Sequence, residues 1–136
     1  MRAVLRWYLI VFGIVCVLIA LAHIFIGPST IIGANTPNAT LDGDLRFSMV
    51  LFGAYGVACV WAALDLDRRA GVAHLLMLLF FVGGLVRLLT VAYVGWPHWF
   101  YIAMIVVEIV TPLVYSPLLS RVTGRPIRDD LVATAQ

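Results

Sequence analysis

The sequence predicts an all-α integral membrane protein, a four-helix bundle folded as one domain over residues 1–136. Three observations predict it. Hydrophobic residues fill 63% of the positions and charged residues only 12%, a balance foreign to ordinary soluble domains. The apolar residues gather in four runs, at about 7–26, 47–64, 72–94 and 99–118. Each is close to the roughly 20 residues that a helix needs to cross the hydrocarbon. The runs are continuous rather than alternating, a poor fit to a transmembrane barrel. Helices satisfy their backbone polar groups internally, as lipid requires.

The first run begins MRAVLRWYLIVFGIVCVLIALA. A basic start, an apolar stretch and Ala20-Leu21-Ala22 mimic a cleavable signal. The apolar character continues through His23-Ile24-Phe25-Ile26, so the segment is read as an uncleaved first span. Residues 27–45 follow as the longest connection, rich in Gly, Pro, Asn and Asp, the residues that favour turns. Ile31-Ile32 is placed to dip toward the membrane, as part of a cap or, more sharply, a lid over a substrate. Asn38-Ala39-Thr40 matches a glycosylation sequon, a short pattern with many chance matches. Asp42, Asp44 and Arg46 are expected either to pair in a solvated loop or to line an outer mouth.

The second run is near the short limit and is allowed to begin before Phe47. Its Ala54, Ala58 and Ala62 repeat every four residues, and with Gly53 and Gly56 predict a narrow packing face. The turns at 65–71 and 95–98 are short, so successive spans lie antiparallel and adjacent. Trp and Tyr residues crowd both ends of the runs, as interfacial anchors do.

The third run, FFVGGLVRLLTVAYVGWP at 80–97, holds Arg87 within apolar surroundings, and the fourth holds Glu108. At 1.5 Å per residue, Arg87 lies about 10 Å and Glu108 about 13–14 Å below the same surface. An arginine side chain covers that offset. Isolated charges at such depth cost at least about 2.5–3.5 kcal/mol, so the two are expected to face each other inside the bundle. Gly83 and Gly84 leave space beside Arg87. Tyr101, Glu108 and Tyr115 recur every seven residues, with Met104 and Thr111 on the same broad face, although the two tyrosines fit interfacial anchors equally well. Pro112 withholds the amide that would bond the Glu108 carbonyl, and predicts a kink. Pro117 is expected to bend or end the last turn. His23 is a further candidate for this polar region. The three histidines lie too far apart along the spans to form one metal site, and no cofactor motif is present. Cys16 and Cys59 read as small buried side chains.

Arginine sets the orientation, since lysine is absent. Arg2, Arg6, Arg68, Arg69, Arg121, Arg125 and Arg128 fall on one side, while the other side has only Arg46. The positive-inside rule then places both termini in the cytoplasm. The net charge of +2 follows from this bias and does not indicate a nucleic-acid surface.

Arg46-Phe47 with Gly53 and Gly56, Gly83-Gly84-x-x-Arg87, Gly95-x-Pro97 and Glu108 resemble the pattern of an uncharacterised bacterial family of small four-span membrane proteins. More broadly, the chain is similar to DoxX-like four-helix proteins. The resemblance covers much of residues 7–119. It implies a bacterial cytoplasmic membrane location and places Arg46, Arg87 and Glu108 at characteristic polar positions. It supplies no activity or substrate.

The expected function is noncatalytic: binding a membrane lipid, or acting as an accessory subunit beside a membrane-protein partner or a second copy. The site residues for this reading are Arg87, Glu108, Arg46, His23, Tyr101 and Thr111. Two alternatives stand. One is an intramembrane enzyme in which Glu108 moves a proton and Arg87 stabilises negative charge. The other is a proton-coupled small-solute carrier using the same carboxylate.

Overall fold

The computed structural model describes residues 1–33 and 38–134. Four long helices follow in order: α1 Arg2–Ile26, α2 Ala39–Leu64, α3 Ala70–Tyr93 and α4 Trp99–Thr123. A short helix, α5 Ile127–Thr134, follows α4. A 3-10 turn, Pro28–Thr30, lies after α1. The first four helices are long and apolar enough to cross a membrane. The chain is therefore a multi-pass membrane protein of all-α fold.

Two helix ends differ from the sequence reading: the start of α2, inside the turn-rich 27–45, and the end of α4. The Asn38 side chain accepts a hydrogen bond from the Leu41 amide at 3.0 Å and caps α2. Asp42, Asp44 and Arg46 thus lie on helix rather than loop. Composition pointed to turns because Asn and Asp serve equally well as helix caps. At the other end of the chain, α4 continues through Pro112 and Pro117 to Thr123. It stops at Gly124, whose φ of 69° provides the left-handed exit glycine favours.

The helices form two hairpins. In the first, α1 and α2 cross at Gly13 and Gly56. A Cβ on Gly13 would lie 2.5 Å from the Gly56 carbonyl oxygen, and one on Gly56 would lie 2.6 Å from the Gly13 oxygen. Only glycine permits this approach, and small residues drive such contacts in lipid. Gly53 sits against Ala20. The expected strip of Ala54, Ala58 and Ala62 is not this crossing: Ala54 is exposed, while Ala62 is buried in the common core. In the second hairpin, α3 meets α4 where Gly84 abuts Glu108.

The hairpins join at the arginine-rich end. Leu9, Cys59, Met77 and Leu119 are fully buried there. The Tyr55 hydroxyl donates to the Leu76 carbonyl at 2.9 Å, and the Tyr115 hydroxyl to the Leu5 carbonyl at 3.2 Å. Phe12 meets Phe80 edge-on at 4.8 Å. Tyr115 is thus a core residue, 4% exposed, and not an interfacial anchor. Beyond Phe12, Tyr55, Phe80 and Thr111, no hydrogen bond, ion pair or ring contact joins the hairpins among the described residues. At the far end they approach again, where a Cβ on Gly33 would lie 3.6 Å from His98 Cβ.

Candidate functional site

Helical geometry aims Arg87 at the gap between the hairpins. Phe80 packs against Phe12 of α1 and Tyr55 of α2. Arg87 follows seven residues later, about two turns on, and shares that face. On α4, Thr111 accepts from the Tyr8 hydroxyl at 3.4 Å and Tyr115 bonds Leu5. Glu108 lies one turn from Thr111 and two from Tyr115, on the same stripe.

Arg87 Nε meets Glu108 Oε1 at 2.9 Å. Gly84 makes this possible, because a Cβ there would stand 2.9 Å from Glu108 Cβ. The two partners are unequally covered: the Arg87 side chain is 47% exposed and that of Glu108 only 11%. The second carboxylate oxygen, Oε2, is buried without a hydrogen-bond partner. Tyr101, two turns from Glu108, presents its ring 6.0 Å from Arg87 Cζ, at the outer reach of a cation–π contact. Chemically, this is a guanidinium held from behind by a buried acid, with its front left open. It can donate to a phosphate, carboxylate or carbonyl oxygen.

The other residues selected from sequence are distributed differently. Arg46 bonds Asp42 at 2.9 Å and the Ile24 carbonyl, so it ties the end of α1 to the start of α2. Its guanidinium also packs over Gly27, whose φ is 83°. His23 lies about three turns from Phe12 and shares its face toward the gap. Its Nδ1 is 2.9 Å from the Ile19 carbonyl of its own helix. Thr111 bonds Tyr8 at the base of the gap. The structure therefore joins Arg87, Glu108 and Tyr101 directly, and leaves Arg46 and His23 on the facing hairpin.

A second polar cluster had no counterpart in the sequence reading. The short helix α5 packs on α3 and buries Asp130 beside His74. Asp130 Oδ2 and the Ser120 hydroxyl both lie 3.5 Å from His74 Nε2. Arg125 approaches the other Asp130 oxygen at 3.7 Å. The residue types are those of a hydrolase triad, but the geometry is not. A triad requires the acid on Nδ1 and the hydroxyl on Nε2. Here both crowd one nitrogen, and Nδ1 is buried without a partner. The available signal was Pro126 followed by Asp129 and Asp130, a helix-start pattern. Among the described residues, no group of three His, Cys, Asp or Glu side chains is placed to hold a metal.

Fold and site together define a four-helix, multi-pass membrane protein whose second hairpin joins Arg87 of α3 to Glu108 of α4 within the apolar spans. The chain belongs to the family described as Domain of unknown function (DUF4345), which matches residues 4–119. That match runs from within α1 to within α4 and ends before α5. No curated protein and no solved structure matches the chain.

Proposed function

We propose that the chain is a noncatalytic lipid-binding module of the bacterial cytoplasmic membrane, with both termini cytoplasmic. A lipid enters between the hairpins, and Arg87 takes its headgroup or ester oxygen. Glu108 orients the guanidinium from its buried side, while Tyr101 borders it. The observation that carries this reading is the unequal covering of the pair. A pin that served only to set helix register has no need for an arginine nearly half exposed on the face toward the gap. The similarity to DoxX-like proteins is compatible with this reading and adds no ligand.

The test is native-lipid retention by the purified parent, Arg87→Gln and Glu108→Gln forms, each checked for helical content and thermal unfolding. Loss of one defined lipid in folded Arg87→Gln supports the reading, whereas unchanged retention rejects it. Copurification of one stoichiometric membrane protein in place of lipid would indicate an accessory subunit instead. The unpartnered Oε2 favours a second reading, in which Glu108 carries a proton for a carrier or a lipid-acting enzyme. That version predicts proton-coupled uptake or turnover in liposomes, abolished by Glu108→Gln. Fusion reporters at each terminus test the orientation.

A further inference from the structure

The arginine-rich end carries a second feature, independent of Arg87. A cavity of about 430 Å³ opens between the start of α1 and the end of α2. Arg2, Arg6, Asp65 and Asp67 line it, with Trp7 at its wall. Its charges do not simply cancel one another. Arg2 Nη2 pairs with Asp67 at 3.2 Å and also donates to the Val122 carbonyl at 3.1 Å. Arg6 and Asp65 form no ion pair among the described residues. The cavity thus presents one available cation and one available anion, an arrangement complementary to a dipolar ligand.

Two apolar grooves adjoin it. One, of about 600 Å³, follows α1 from Ala3 to Val15 and shares Ala3 and Trp7 with the cavity. At 1.5 Å per residue it descends about 18 Å, roughly one leaflet of a hydrocarbon core about 30 Å thick. The other, of about 400 Å³, lies between α1 and α2 and shares Leu64 with the cavity. A charged head site continuous with two open apolar faces has the layout of a diacyl lipid. Trp7 is the type of side chain that settles at headgroup level.

We propose that this end binds a zwitterionic glycerophospholipid. Arg6 holds the phosphate, Asp65 holds the ammonium, and the acyl chains lie in the two grooves. Arg2 and Asp67 frame the head site as a pair.

The experiment is native mass spectrometry of the full chain with equimolar dioleoyl phosphatidylethanolamine and dioleoyl phosphatidylglycerol. The parent is expected to retain phosphatidylethanolamine preferentially. Arg6→Gln and Asp65→Asn should each lower that retention by roughly threefold to tenfold, the range of a single polar contact. Arg121→Gln, outside the cavity, should leave it unchanged. Loss confined to Arg6→Gln, with phosphatidylglycerol preferred by the parent, overturns the zwitterionic assignment. Equal retention of both lipids by the parent, or no effect of either variant, overturns the site. Should a variant fail to fold, spin-labelled lipids of the two classes around the parent in vesicles give the same decision. Equal immobilisation of the two refutes selectivity.

Discussion

Gly83 and Gly84 are adjacent in sequence, yet alanine is predicted to act on them with opposite sign. A Cβ on Gly84 would lie 2.9 Å from Glu108 Cβ, 3.1 Å from Ile109 Cγ1 and 3.4 Å from the Glu108 carbonyl carbon. Two of these contacts are with backbone-fixed atoms, so a side-chain rotation does not relieve them. Restoring ordinary carbon–carbon separations of about 3.5–4.0 Å requires α3 to withdraw from α4 by about 0.5–1 Å. Gaps of that size forfeit a quarter to a half of each neighbouring contact, and overpacking costs typically about 1–3 kcal/mol. The same shift would stretch the 2.9 Å Arg87–Glu108 contact. Gly83 has nothing within 4 Å of its would-be Cβ. There, alanine gains only helix propensity, up to about 1 kcal/mol. Equilibrium unfolding in a mild detergent, read by far-ultraviolet circular dichroism, should rank Gly83→Ala at or above the parent and Gly84→Ala below it. Equal effects at the two positions would refute the close α3–α4 approach.

Three further outcomes follow from the same geometry. Gly13→Ala is expected to separate α1 from α2 and destabilise by about 1–3 kcal/mol, because its Cβ meets the Gly56 carbonyl at 2.5 Å; thermal unfolding measures this against Gly43→Ala, which meets nothing within 4 Å. Tyr115→Phe removes the donor to the Leu5 carbonyl and should cost about 0.5–1.5 kcal/mol in the same assay, with no change in lipid retention. Asp130→Ala should release α5 from α3, seen as faster amide exchange over residues 127–134 while the α1–α2 amides keep their protection.

The hydrophobic runs made the four helices legible because lipid imposes a length and forbids unpaired backbone. Arg87 and Glu108 were legible for a related reason: at similar depth, each supplies the partner whose absence would cost most. Arg46 was not resolved by the same logic. It lies near a helix end, where a carbonyl or a nearby Asp satisfies a guanidinium as well as a distant site does, and its actual partners are Ile24 and Asp42. The glycine crossing was half visible. Spacing identified small residues on α2, but one helix alone cannot reveal which of its faces meets Gly13. The His74–Asp130 cluster depended on a short polar helix folding back, a tertiary event with little apolar periodicity to announce it.

The pair's unequal burial has an energetic consequence that separates its two partners. Arg87→Gln leaves the Glu108 carboxylate buried, with Oε2 already unpartnered and Oε1 newly so. Stranding a fully buried charge costs about 3–5 kcal/mol, and protonation of the acid sets a lower ceiling here. Glu108→Gln instead strands an arginine whose side chain is 47% exposed. That side chain can turn toward headgroups or water, so its loss resembles that of an exposed pair, about 0–1 kcal/mol. Arg87→Gln should therefore unfold more readily than Glu108→Gln. The double variant should recover most of the way to Glu108→Gln, since no ionised acid remains to be stranded. A double-mutant cycle in one detergent measures all three differences. If Glu108→Gln proved the more damaging change, the acid would be the member that the bundle needs for packing. The account of Arg87 as a cation presented outward by a buried carboxylate would then fail.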